Sequence, residues 1–180
     1  MRSCLPVVAT LRCTACAAAT TDVASGAKTY TGTYSAKVVE STVSTSLTGG
    51  GTFPCTNTYT MSGTLTMTIG PTGSAAVGSA QIAGTQTETA FSGGTSCKSK
   101  GNLPTSWSPT LTGTTTDLHF ADQNVATNGA YVVTSRTSFA GALSGGVVTG
   151  VLGFNVAGTG TIGTTGIVQS YSSTMSVVLQ

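Results

Sequence analysis

Charge is what this chain has least of. Only 7 Lys and Arg and 5 Asp and Glu occur in 180 residues, where charged residues ordinarily make up about a quarter of a globular domain. The cations are scattered, with no basic cluster or stripe, so neither nucleic acid nor an anionic membrane surface is expected as a partner. A single histidine, His119, and five acids leave too few ligands to converge on a metal. No cofactor is expected. Beyond the N-terminal leader, no run of 18 apolar residues is long enough for a transmembrane helix. No window carries a helical apolar stripe either.

Hydroxyls fill the place of charge. By count 37 Thr and 21 Ser make up about a third of the chain, and Thr is the polar residue best suited to extended backbone. With 39% hydrophobic residues in regular alternation, the chain is expected to fold, since disordered chains are poor in apolar residues.

Residues 1–24 read as a leader. Arg2 supplies the positive start, Leu5 to Leu11 a short apolar stretch, and Ala15-Cys16-Ala17 a small-x-small cleavage site. The mature domain then spans 25–180, and a secreted, periplasmic or cell-surface location is expected. The variant is a lipoprotein, anchored through a lipidated Cys16. Cys4, Cys13 and Cys16 lie in the leader, which leaves Cys55 and Cys97 as an even pair. Their bridge would close a loop of about 43 residues and add roughly 4 kcal/mol by loop entropy.

Period-two alternation dominates the mature chain. Tyr59, Met61, Gly63, Leu65, Met67 and Ile69 fall on one face, and Thr58, Thr60, Thr64, Thr66 and Thr68 on the other. That is a strand with one buried and one wet face. Phe139 to Leu143 and Val148 to Leu152 mirror each other about Ser144-Gly145-Gly146, a hairpin signal. A second hairpin joins Tyr59–Ile69 to Ala75–Thr85, and further strands are expected at Lys28–Val39, Thr42–Leu47, Pro109–Ala121, Ala130–Leu143 and Gly166–Leu179. The expected fold is all-β: an antiparallel up-and-down meander of about eight or nine strands closing into a small barrel. A two-layer sandwich is the alternative. An outward phase of Thr and Ser argues against a transmembrane barrel, which needs lipid-facing apolar rows. The same rows, such as Thr112, Thr114 and Thr116, would resemble an ice-binding ladder, but they are also the default surface of a low-charge sheet.

Glycine recurs in mid-strand on the inward phase, as in Tyr30-Gly32-Tyr34, Met61-Gly63-Leu65, Phe139-Gly141-Leu143 and Val148-Gly150-Leu152. Glycine weakens strands, so its repetition points to curvature or close backbone approach. Tyr30-Thr31-Gly32-Thr33-Tyr34 and the glycine-bearing hairpins resemble the strands of small up-and-down barrels such as avidin-like and lipocalin-like proteins. With Trp107 as the only tryptophan, the Trp-rich ligand wall of avidin-like proteins is missing, and no binding residue carries over.

Candidate chemistry is sparse. Asp117 and His119 share a strand face, as a carboxylate orienting a general base would. Leu118 and Phe120 are the natural inward pair there, which turns Asp117 and His119 to solvent, and no Gly-x-Ser-x-Gly elbow lies nearby. Glu40 and Glu88 read as surface residues. Trp107, in an expected long loop from Ser92 to Ser108, is the candidate ligand contact or else a plug over one end of the barrel. The expected function is that of an exported, non-enzymatic barrel-like domain binding a small ligand or a glycan. The alternatives are a structural or adhesive cell-surface subunit, with oligomerisation as its mark, and a hydrolase using His119.

Overall fold

In the computed structural model the described residues are 26–70, 78–93 and 103–180; the leader, Cys16 and Cys97 lie outside them. Among the described residues nine antiparallel strands and no helix make up the fold: β1 (Lys28–Ser46), β2 (Thr52–Ile69), β3 (Gly78–Ser92), β4 (Leu103–Trp107), β5 (Thr110–Thr114), β6 (Asp117–Asn128), β7 (Tyr131–Ser144), β8 (Val147–Ile162) and β9 (Thr165–Leu179). They form one sheet in meander order, and β1 pairs with both β2 and β9, so the pairings run in a ring. The arrangement is barrel-like, not a two-layer sandwich.

Several expected boundaries shift. The stretches at Lys28–Val39 and Thr42–Leu47 are one strand, because alternation continues unbroken through Glu40 and Ser41. The stretch at Pro109–Ala121 divides into β5 and β6 around Thr115 and Thr116. Trp107 is not on a loop. It ends β4, paired with Ile82 of β3.

Strands β4 and β5 are two segments of one edge. Both pair with β3 in the same register, Ile82 with Trp107 and Gly78 with Leu111. Between them the Ala80 amide donates to the Pro109 carbonyl at 2.9 Å, but proline has no N–H to return the bond, and the ladder breaks. The ring therefore counts eight strands in effect. An eight-strand barrel is just wide enough to be filled by side chains or to hold one small ligand.

Its seams are unequal. β5 pairs with β6 over only Thr112–Thr114, and no pairing continues between β4 and the upper part of β6. β1 meets β9 through a ladder over residues 41–46, while the amides of Thr31 and Gln180 exchange bonds of 3.0 and 3.2 Å at the other end, in the same register.

The inward glycines make room for aromatic rings. Gly141 and Gly150 face each other across β7 and β8, and a Cβ on either would come within 2.5 Å of Phe139 Cζ. Residues Tyr34, Gly63, Gly84 and Thr105 form a straight row across β1, β2, β3 and β4, and the Tyr34 ring lies over the two glycines. Such aromatic cover of strand glycines restores the packing that a missing side chain forfeits.

Candidate functional site

The interior has two unlike halves. Toward the end where β2 finishes and β3 starts, Leu65, Met67, Ile82, Leu118, Leu152 and Leu179 pack into an apolar plug, each at most 1% exposed. Toward the other end the inward phase turns polar on strand after strand. On β1 Val38 gives way to Glu40, on β2 Tyr59 to Asn57, on β6 Phe120 to Asp122, and on β9 Met175 to Tyr171 and Gln169. There the inward residues Asp122, Asn124, Ser135, Gln169 and Tyr171 are only half-buried, so this half is an open cup.

Glu40 organises the cup. It is 6% exposed, which corrects the surface reading, because alternation from Val38 carries it inward two residues on. Its Oε1 accepts from Asn57 Nδ2 at 3.1 Å, Thr42 Oγ1 at 3.3 Å and Tyr59 Oη at 3.4 Å. Its Oε2 accepts from Gln169 Nε2 at 2.7 Å, and Gln169 Oε1 accepts from Tyr131 Oη at 2.5 Å. A buried carboxylate is costly unless its lone pairs are met, and here neutral donors from three strands meet them. Burial, and secondarily the Glu40 charge, pushes the Tyr171 phenol up to about 12 and raises that of Tyr131 for the same two reasons. Both are neutral donors at ordinary pH.

Glu88 is also inward. It continues the inward phase of Ala80, Ile82, Gly84 and Gln86 along β3 and lies directly opposite Tyr59, and residues facing each other across a ladder share a sheet face. The expected surface position fails because alternation from Gln86 carries Glu88 inward; the register shifts only beyond it, at Thr89, whose hydroxyl donates to the Thr58 carbonyl at 3.1 Å. Glu88 is half-buried. Asp122 completes an inner face with three carboxylates, whereas Lys37 and Arg136 point outward.

The remaining candidates lie elsewhere. His119 Nδ1 is 3.8 Å from Asp117 Oδ1, and both side chains are exposed on the outer face. The nearby Thr112 hydroxyl donates to the His119 carbonyl at 3.1 Å, so it is turned away from the imidazole. Trp107 is half-buried against the plug, on the inner face of β4. Cys55 is buried at 2% exposure near the cup end of β2. Among the described residues no group of three or more His, Cys, Asp or Glu is placed to hold a metal. Two open depressions of about 450 and 510 Å³ lie at the plug end and across β6 to β9, the second lined by Asp122 and Phe154 together with Gln123, Arg136 and Asn155. The outer face carries the expected hydroxyl rows, with Thr29 3.2 Å from Thr68 and Thr31 3.2 Å from Thr66.

No family model, curated protein or solved structure matches the chain.

Sequence reasoning missed Glu40, Asn57, Gln169 and Tyr171 as one group. The signal was present, as a change from apolar to polar residues partway along the inward phase of each strand. Only the register shows that these changes occur at the same end.

Proposed function

We propose that this is an exported, non-enzymatic domain that binds a small polar ligand or a glycan in the cup above the apolar plug. The observation carrying the reading is the contrast within one interior: sealed and apolar at one end, half-exposed and lined by carboxylates, amides and phenols at the other. Small-molecule sites combine apolar walls with a few placed polar groups, and the mouth of a barrel is a common place for them. Among the described residues no ladder joins β4 to β6.

Export, by leader removal or through a lipid on Cys16, and a Cys55–Cys97 bridge belong to the same proposal. Both suit a small domain in an oxidising compartment. Native mass spectrometry of protein recovered from a secreting host tests all three parts at once. The expected spectrum shows a chain without the leader, two hydrogens lighter than the dithiol, with retained small-molecule mass. An empty oligomer would overturn ligand binding in favour of a structural or adhesive subunit.

A further inference from the structure

The depression of about 510 Å³ across β6 to β9 is built on the outer face by two neighbouring rows. Gln123, Arg136, Asn155 and Ser172 stand side by side across the four strands. Ala121, Ser138, Gly153 and Thr174 form the next row in the same way. All but Gly153 are exposed, so a ligand meets them directly from solvent. Between the rows Asp122 and Phe154 turn their side chains inward and leave backbone as the floor.

Gly153 makes the hollow. Unlike Gly141 and Gly150 it lies on the outer phase of its strand, yet it is sunk beneath its neighbours and buried. A Cβ there would come within 2.9 Å of Ser138 Oγ and 3.8 Å of Thr174 Cγ2, filling the space between them. Beside the hollow stands Arg136, the only cation on these four strands. Its Nε donates to Gln123 Oε1 at 2.9 Å, which holds the guanidinium in place and leaves the Nη groups for a ligand. No carboxylate pairs with it among the described residues. Asn155 is fixed too, its Nδ2 donating to the Tyr171 carbonyl at 3.4 Å, with Oδ1 left as an acceptor.

These groups select by charge and shape. The free edge of a guanidinium presents two parallel N–H donors that match a carboxylate. One cation neutralises a singly charged anion, whereas a phosphate dianion would keep an unmet charge. The Ser138, Ser172 and Thr174 hydroxyls and Asn155 Oδ1 suit a partner rich in hydroxyls. Four strands spaced about 4.8 Å apart make each row about 14 Å long, room for a disaccharide. The three carboxylates of the cup would repel such an anion, so the groove and the cup are chemically separate.

We infer that this groove is a second binding site, for a saccharide carrying a single carboxylate, such as a hexuronate-bearing glycan. The carboxylate is held by the Arg136 Nη groups, and the sugar lies over Gly153 between Ser138 and Thr174.

Calorimetry and amide NMR on the full chain test this. The probe is aldobiouronate, a disaccharide with one glucuronate, and the comparators are neutral cellobiose and inorganic phosphate. Saturable aldobiouronate binding is expected, with the Gly153 amide and Arg136 Nε–H resonances shifting together. Arg136→Gln and Gly153→Ala are each expected to weaken it about tenfold with melting temperatures close to the parent. Aldobiouronate binding that both variants leave intact would overturn the groove as its site. Equal binding of phosphate would overturn the carboxylate class and leave an anion drawn by one arginine. Equal binding of cellobiose would remove the role of Arg136. Should no probe bind, the groove is a surface dip only, and the reading of the cup, which rests on Glu40 and its neighbours, is unaffected.

Discussion

Gln169 Nε2 lies 2.7 Å from Glu40 Oε2, and this bond ties the last strand of the ring to the first on its inner face. The β1–β9 ladder covers residues 41–46 on one side of this point, so the side-chain bond continues the seam where backbone pairing stops. Gln169 also accepts from Tyr131 of β7, which extends the tie to a third strand.

Glu40→Gln keeps the side-chain shape but turns an acceptor oxygen into an amide that meets the Asn57 or Gln169 amide donor to donor. Loss of charge-assisted bonds in a buried site costs about 2 kcal/mol. The expected result is a lower denaturant midpoint with an unchanged slope. An unchanged midpoint would show that the network adds nothing to the seam.

The raised Tyr171 phenol sets an alkaline limit on the fold. An unfolded tyrosine ionises near 10, and Tyr171 is pushed up to about 12 by burial first and the Glu40 charge second. Its contribution to stability is thus fully present below about pH 10 and is lost as pH rises through about 12. Absorbance titration of the phenolates should show this late ionisation. In Glu40→Gln most of the shift should persist, because burial is the larger cause. A return to the ordinary range in that variant would reverse the order of the two causes.

Glycines in the sheet and in the turns should differ sharply. Gly150→Ala places a methyl within 2.5 Å of Phe139 Cζ and against the Ala140 carbonyl oxygen at 2.5 Å, and overpacking of this kind costs about 1–3 kcal/mol. Gly49→Ala meets only Ser46 Oγ at 3.4 Å and should stay within about 0.5 kcal/mol of the parent. Thermal melts of the two variants suffice, and equal melting temperatures would refute the role of Gly150 as a seat for Phe139.

Tyr34→Phe removes a buried hydroxyl that has no partner while keeping the ring over Gly63 and Gly84 and its contact with Phe154, whose centroid is 5.7 Å away. The variant should be more stable by about 1 kcal/mol. Lower stability would mean that the hydroxyl is satisfied in the folded protein.

The strand class, the phase of most strands and the meander are legible in the amino-acid pattern alone. Period-two alternation needs no partner to be read, and paired glycines mark their own turn: Gly145 and Gly146 at the β7–β8 hairpin have φ of 58° and 81°. It also placed His119 and Asp117 outside, since Leu118 and Phe120 claim the inner phase. Which polar residues face one another was decided only by the tertiary structure. Alternation from Val38 puts Glu40 on the inward phase, but only closure of the ring brings Gln169, 129 positions away, to its side. Glu88 lies on the inward phase of β3 two residues after Gln86, and the pairing of β2 with β3 sets it opposite Tyr59. Trp107 leaves its expected loop because β4 takes the free edge of β3 in the register that β5 continues beyond Pro109. Local alternation fixes which side of a strand is buried; register and closure fix what shares the enclosed space, and those rest on contacts between residues far apart in the chain.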